Sequence, residues 1–461
     1  MFPEKRSSLE PSNKPLLWFE NGRLYRVDES RVHCELDEYI MSNPSIVFTP
    51  TMTRPEIVEY TAYWSNIDKH KLIATDKGKI LSARLRGARN RTSWVVAAEN
   101  WDENESTVDI SFLKGMTGFY KHMQVGTFPT PAAHGRATMR WVYDNNLLPY
   151  HTSLPLSCEN YLHRHGYGGI VITPKDHVTY PEVTQADMAS AWVSLWGNEP
   201  DETPAWFTKE VDCATYFAEC IVSIPHTLAL GIFPVRRADG RVVYPTRKGV
   251  YRTHIWKENV VSARRVGCDV KVLCGWSWPS FTADNQFWSS WIYNKRCRSK
   301  DEWQERKVKK VAVSAIGSNA RQRVNYTVVG DSNYDPTWDY PAIDANNPIN
   351  LWVHRDRDDR SPCMVHWVGH TIACCNLSVR DFAYDFASSG TLVLVDYDSV
   401  FVRSEDVKSR SIQKYTSEGI NCKPGTWLWK THHNFRVLRN RIWISDEEPG
   451  RYGSLLEGLR K

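Results

Sequence analysis

Gly390-Thr-Leu-Val-Leu-Val-Asp396-Tyr397-Asp398-Ser399-Val-Phe-Val402 places two short aliphatic runs, Leu392 to Val395 and Val400 to Val402, on either side of an acidic tip. Runs of this length, rich in valine and leucine and joined by a polar tip, read as a buried β-hairpin. On extended backbone, residues two apart point to one side, so Asp396 and Asp398 are expected to face one spot with Tyr397 directed away. Two carboxylates at the end of an apolar hairpin are costly unless a cation neutralises them, and a divalent metal ion is the usual one. The same letters also suit an ordinary Asp-rich turn, because Asp is a common turn former. The rest of the chain decides between the two.

The chain has 461 residues, 41% hydrophobic and 24% charged, ordinary proportions for globular domains and a length for two large or three average ones. A net charge of +5 is mild, so an anionic partner must be met by local patches. No apolar run approaches the ~18 residues of a membrane span, and residues 1–15 are polar without a signal-peptide core. The expected location is therefore cytoplasmic (the host cytoplasm for a viral protein), with no membrane partner. Eleven cysteines, an odd number without framework spacing, suit free thiols in a reducing compartment. Cys363, His366, His370 and Cys374 invite a zinc reading. They fall, however, in or beside a helical pattern from Met364 to Phe386, where such spacings form a stripe too long for one tetrahedral ion. A buried helix stripe is the expectation.

In the first 150 residues, Asn21-Gly22 between two alternating runs predicts a hairpin. Lys69, Lys71, Lys77, Lys79, Arg84, Arg86, Arg89 and Arg91 face one acid, Asp76, a stripe that could track a phosphate backbone or form a solvated basic face. A strand follows from Thr92 and runs towards Glu99 and Asp102. Further on, Tyr167-Gly168-Gly169 leads into a strand. Asp187 then closes an extended run ahead of a short helix to Trp196. Asp239-Gly240 marks a second hairpin, and a helix from Lys257 to Val266 stops at Gly267.

Two helices come next, Phe287 to Ser299 and Trp303 to Ala320. Arg296 and Lys300 lie side by side at four-residue spacing, and Lys309, Val313, Ile316 and Gly317 share a stripe of the second helix. Residues 321–361 are turn-rich and read as an excursion. Beyond Val402, Arg436, Arg439 and Arg441 interleave with Trp427, Trp429, Phe435 and Trp443, a pattern that suits a nucleic-acid strand or a small amphipathic sheet. The order is informative: one acid, a basic helix pair, a two-acid hairpin, a basic-aromatic tail. Two-metal phosphoryl transfer needs carboxylates from separate strands holding ions about 4 Å apart, with cations on the leaving triphosphate.

On these residues the chain resembles the family B DNA polymerases, in particular their protein-primed viral, phage and plasmid branch. Asp187-Met-Ala-Ser190-Ala-Trp192 resembles motif A, Asp-x-x-Ser-Leu-Tyr-Pro. Lys309-x-x-x-Val313-Ser314-Ala-Ile316-Gly317 resembles motif B, Lys-x-x-x-Asn-Ser-x-Tyr-Gly. Leu394-Val-Asp396-Tyr397-Asp398-Ser399 resembles motif C, Tyr-x-Asp-Thr-Asp-Ser. The Gly-Gly after Tyr167 is similar to the Tyr-x-Gly-Gly loop, one position out of step, and Arg441-Ile-Trp443 to the thumb-side Lys-x-Tyr. The resemblance covers about residues 150 to 445.

It implies that Asp187, Asp396 and Asp398 are catalytic, with Asp187, Asp398 and the Met188 carbonyl on two Mg²⁺ ions (Mn²⁺ as the alternative). Ser190, Trp192, Arg296, Lys300, Lys309 and Val313 would meet the incoming nucleotide, with Trp192 excluding a ribose 2′-hydroxyl. Tyr167, Gly168, Gly169, Ser314, Gly317, Arg441 and Trp443 would meet DNA. Val313 and Ile316 replace the family's asparagine and tyrosine, which removes polar support and stacking at the nascent pair. No Asp-x-Glu occurs before residue 150, so no 3′–5′ exonuclease is expected.

The implied fold is α+β, a polymerase right hand with an antiparallel-sheet palm, helical-hairpin fingers and a small thumb. Its parts would be an N-terminal domain in the exonuclease position (1–150), palm (151–284), fingers (285–322), insertion and second palm part (323–405) and thumb (406–461). The implied function is template-directed deoxynucleotidyl transfer on a DNA template-primer with dNTPs, a terminal protein being one source of the primer. The alternative is a polymerase-shaped, non-catalytic nucleic-acid-binding replication accessory.

Overall fold

The computed structural model describes residues 14–74, 79–88, 91–101, 108–142, 154–173, 177–282, 285–320, 324–330, 340–341, 351–357, 364–405, 425–439 and 442–448. Lys77, Arg89, Asp102, Cys363, Arg441 and much of the 321–361 excursion lie outside them. The chain divides into two compact units, residues 1–151 with 294–363, and residues 152–293 with 364–461. Both units are discontinuous in sequence.

The first unit is built on a ten-stranded mixed sheet. Leu16–Glu20, third from one edge, is parallel to Ile46–Thr49, which is in turn parallel to Thr92–Ala97. Leu16–Glu20 also turns back on Arg23–Arg26 through Asn21 and Gly22, at φ 53° and 68°. These left-handed conformations are what an Asn-Gly hairpin turn requires. The excursion is an integral part of this sheet: Val324–Gly330 pairs with Lys71–Ala74 and with Leu351–Arg357. One face buries Leu17, Phe19, Val47, Leu72, Leu85, Val95, Val328 and Val353 in a single core.

Helices Ser111–Met123, Pro131–Val142 and Glu302–Asn319 belong to the same unit. Gly115 and Gly135 let the last of these approach closely, since a Cβ at either would overlap Trp303 or Ala315. His134 is buried inside a box of Trp101, Phe119, Tyr120 and Phe128. Burial pulls it down to about 3, so it stays neutral at ordinary pH.

In the second unit an antiparallel sheet of six strands runs in the order Ile442–Ile444, Trp427–Arg439, Val178–Met188, Ser399–Arg403, Leu392–Asp396, Val171–Ile172. One face packs on the long helix Val365–Ser388 through Met188, Val395, Val400, Val402, Cys375, Val379, Ala383 and Phe386. The other buries Val183, Leu394, Phe401, Phe435, Val437 and Trp443. The tail aromatics are divided between these cores, Trp427 in the first and Phe435 and Trp443 in the second. The described part of 406–461 adds two strands to the sheet, where a separate thumb was expected, with Trp427–Arg439 paired along Val178–Met188. Trp443 is fully buried, so its ring serves the core where DNA contact was expected.

A second, four-stranded sheet (Ala205–Phe207, Asp269–Trp278, Thr215–Ile224, Gly249–Trp256) packs on the helix Lys257–Arg265. The Asp239-Gly240 hairpin forms, with Gly240 at φ 81°. The histidines of the long helix are packing residues. His366 stacks on Trp278 and is drawn down to about 3 by burial. His370 lies 3.2 Å from Glu258; burial opposes its charge, but Cys374 and Glu258 outweigh that and raise it to about 10.

Candidate active site

Asp187 and Asp398 come together at one end of the six-stranded sheet. Asp187 is the penultimate residue of Val178–Met188, and its neighbour in register is Ser399, the first residue of the returning hairpin strand, 212 positions away. The Ser399 hydroxyl donates to Asp187 Oδ1. The Met188 amide donates to the Asp398 carbonyl oxygen at 2.8 Å. All three acids, Asp187, Asp396 and Asp398, are half-buried.

The hairpin differs from its expected form at the tip. Asp396 pairs directly with Ser399, leaving Tyr397 and Asp398 as a two-residue loop with Tyr397 at φ 56°. The rule that residues two apart share a side holds only on extended backbone, so it fails for Asp396 and Asp398. Directly paired residues do share a face; Asp396, Ser399 and Asp187 therefore form one row across three strands. Asp398 lies in the loop beside that row, and its charge, after burial, helps push the Cys375 thiol up to about 12. Among the described residues no three His, Cys, Asp or Glu side chains gather around one point at metal-ligand spacing. The oxygen donors at the sheet end include the carboxylates of Asp187 and Asp396, one strand apart, that of Asp398 in the loop, and main-chain carbonyls.

A tyrosine at positive φ is held by its surroundings. The Tyr397 amide donates to the Ile170 carbonyl at 2.8 Å, and the ring lies where a Cβ on Gly169 would be. Asn376 of the long helix fixes that loop twice, accepting from the Ile170 amide at 2.8 Å and donating to the Gly168 carbonyl at 3.2 Å. Gly169, expected at DNA, is thus required by the hairpin tip, while Gly168 is exposed with open space beside it. Tyr167 is engaged by Thr253 at 3.4 Å and lies under Arg236. Ser190, at φ 51°, precedes the short helix Ala191–Leu195, and Trp192 of that helix packs half-buried against the cluster containing Met188.

The motif B-like residues stand in the first unit. On Glu302–Asn319, Lys309, Val313 and Gly317 form an exposed stripe at four-residue spacing, Ser314 is half-buried and Ile316 is fully buried. Ile316, at the position of the family's tyrosine, is therefore a core residue. Arg296 is ion-paired to Glu305, both largely buried, while Lys300 is exposed. Of the expected cationic clamp, Lys300 and Lys309 are exposed and Arg296 is committed to a structural pair. Ser399, Asn376 and Gln185 were missed as site residues; the signal for Gln185 was its place two positions before Asp187, on the same face of an extended strand.

No protein-family model matches the chain, and no curated protein matches its sequence. Solved structures do. Phi29 DNA polymerase complexed with primer-template DNA and incoming nucleotide superposes with a TM-score of 0.67 at 11% identity, covering 92% of this chain and 84% of that one. Its post-translocation binary complex with primer-template DNA gives 0.69 at 10% identity, covering 94% and 87%. Its complex with single-stranded DNA gives 0.65 at 10%, covering 92% and 83%. The chain therefore shares the fold of phi29 DNA polymerase along nearly its whole length.

Proposed function

We propose that the protein is a template-directed DNA polymerase, extending a primer 3′-hydroxyl with dNTPs on a DNA template. The observation that carries this reading is the joining of Asp187 and Asp398 at one sheet end from distant parts of the chain. The fold it shares with phi29 DNA polymerase supports it. Asp187, Asp398 and the Met188 carbonyl are hard oxygen donors of the kind Mg²⁺ takes, and a ligating carboxylate that is itself hydrogen-bonded, as Asp187 is by Ser399, is the usual arrangement. When bound, two such ions would activate the primer hydroxyl and neutralise the leaving pyrophosphate. Asp396 would steady the row through its pairing with Ser399. Lys300 and Lys309 would hold the triphosphate, and Trp192 would occupy the space a ribose 2′-hydroxyl needs.

The N-terminal unit is assigned no proofreading role. Glu20 is taken by Arg54 at 2.8 Å and Glu99 by Lys79 at 3.0 Å, and among the described residues no acidic cluster that would hold an ion includes either. A protein hydroxyl is one source of the primer terminus under this reading. Primer extension with Mg²⁺ tests the whole: Asp187→Asn and Asp398→Asn should each lower incorporation about a hundredfold or more. Undiminished extension by either variant would refute the assignment.

Exposed Val313 and the Arg296–Glu305 pair favour a second reading, a polymerase-shaped DNA-binding protein without catalysis. It predicts salt-sensitive DNA binding with no incorporation at any Mg²⁺ or Mn²⁺ concentration.

A further inference from the structure

A chain of hydrogen bonds runs through the second unit from the surface to Asp187. Ser399 donates to Asp187 Oδ1. Gln185 Nε2 lies 3.0 Å from the Ser399 hydroxyl, and Gln185 Oε1 lies 2.8 Å from His432 Nε2. His432 Nδ1 is 2.9 Å from the Ser445 hydroxyl, which accepts from the Glu448 amide at 3.2 Å. His432 is 0% exposed, and Phe401, Phe435 and Trp443 pack around its ring. Glu447 lies 3.7 Å from Nδ1.

The sense of every bond follows from the carboxylate end. Asp187 as a carboxylate can only accept, so Ser399 spends its one proton there and must itself accept from Gln185. The Gln185 amide then presents its oxygen to His432, which requires a proton on Nε2. Nδ1 is left to accept from Ser445 in the neutral ring. Each donor points towards Asp187, and bonds aligned in this way polarise one another. The strand pattern makes this possible: Val183, Gln185 and Asp187 alternate to one face, and His432 pairs with Val183, diagonal to Gln185.

We infer that Gln185 and His432 are positioning residues for Asp187, holding Ser399 so that Oδ1 is occupied and the remaining carboxylate oxygen is presented to a divalent cation. The inference rests on the proposed role of Asp187 and deepens it. Outer hydrogen-bond partners of ligating groups commonly change metal affinity or activity by about 10- to 100-fold.

The test is direct Mn²⁺ titration of the full chain by electron paramagnetic resonance, with melting curves to verify folding, on wild type, Asp187→Asn, Gln185→Leu, His432→Phe and His432→Gln. Gln185→Leu and His432→Phe should weaken Mn²⁺ binding about tenfold or more, as Asp187→Asn does. His432→Gln, whose amide can still donate to Gln185, should recover most of it, a rescue that loss of packing alone would not give. Wild-type Mn²⁺ affinity in Gln185→Leu and His432→Phe, or in Asp187→Asn itself, would overturn the inference. Should Gln185→Leu not fold, the His432→Phe and His432→Gln pair decides alone. Primer extension is scored separately, so a wild-type protein that binds Mn²⁺ in this pattern yet incorporates nothing sinks the polymerase reading and leaves the relay standing.

Discussion

The Met188 amide donates to the Asp398 carbonyl oxygen at 2.8 Å, a main-chain tie between the strand that carries Asp187 and the loop that carries Asp398. The two acids are thus brought together by backbone pairing, and their side chains are not needed to hold the hairpin in place. Asp187→Asn and Asp398→Asn should accordingly melt within about 4 °C of wild type while losing incorporation. Calorimetry beside the extension assay checks this; a large drop in melting temperature would mean the carboxylates are structural.

Gly169 lies against the Tyr397 ring, and a Cβ there would overlap Cδ1. Gly169→Ala must displace the tyrosine and, through its positive-φ backbone, the adjacent Asp398. We expect a loss of about 1–3 kcal/mol of stability, typical of overpacking, and a fall in incorporation rate at saturating dNTP. Tyr397→Gly removes the clash and suits φ 56°, so the double variant should regain stability relative to Gly169→Ala, as denaturant titration would register.

Arg296 and Lys309 should part company in kinetics. Arg296 is held by Glu305, with both side chains shielded from solvent, so Arg296→Ala should act chiefly on stability, by about 1 kcal/mol. Lys309 is exposed on the motif B-like stripe, and Lys309→Ala should raise the KM for dNTP about tenfold or more if it grips the triphosphate. Steady-state kinetics of both variants, with melting curves, decide the matter; equal KM effects would contradict the division.

His134 gives the fold an acid limit. Its folded-state value, about 3, lies below that of the unfolded chain near 6.5. Between those values the unfolded state binds the additional proton, so stability falls as pH drops through this window. The cost on full protonation is on the order of 3–5 kcal/mol. His134→Phe, an apolar ring in an aromatic box, should flatten the acid limb while changing stability little at pH 7.5. Urea titrations at pH 7.5 and 5 compare the two slopes.

Trp192 is half-buried against the cluster containing Met188. Under the polymerase reading Trp192→Val opens space beneath the sugar and should raise rNTP use relative to dNTP by about 10- to 100-fold. The same change should cost about 1–3 kcal/mol of stability for the lost ring packing. Parallel incorporation assays with each nucleotide set measure the ratio, and an unchanged ratio would remove Trp192 from the sugar pocket.

The legible parts of the fold were those with local causes. Asn21-Gly22 and Asp239-Gly240 demanded positive φ and announced their hairpins. Apolar periodicity placed the helices observed at Asn285–Cys297, Glu302–Asn319 and Val365–Ser388 to within a few residues. The hairpin strands at Leu392–Asp396 and Ser399–Arg403 were equally plain. What stayed hidden depends on partners far along the chain. Thr327 meets Ile73, and His432 meets Val183, and nothing local to either pair encodes the meeting. The tail misled for a definite reason: Trp427 packs in one core and Phe435 and Val437 in another, with Lys430, His433 and Arg436 exposed between them, so an aromatic-basic rhythm arose from one long strand that serves two cores. Arg296 misled because Glu305, its partner, lies across the turn between two helices. The tip of the hairpin was misjudged because Tyr397 leaves extended geometry there.

The strand Val324–Gly330 pairs with Lys71–Ala74, some 250 residues earlier in the chain, and this has a consequence for biosynthesis. At translation rates of about 5–20 residues per second, the segment Lys71–Ala74 waits on the order of tens of seconds on the ribosome before its neighbour emerges. During that interval it offers a bare hydrogen-bonding edge, and Lys71, its first residue, supplies the kind of charge that discourages a foreign strand from docking.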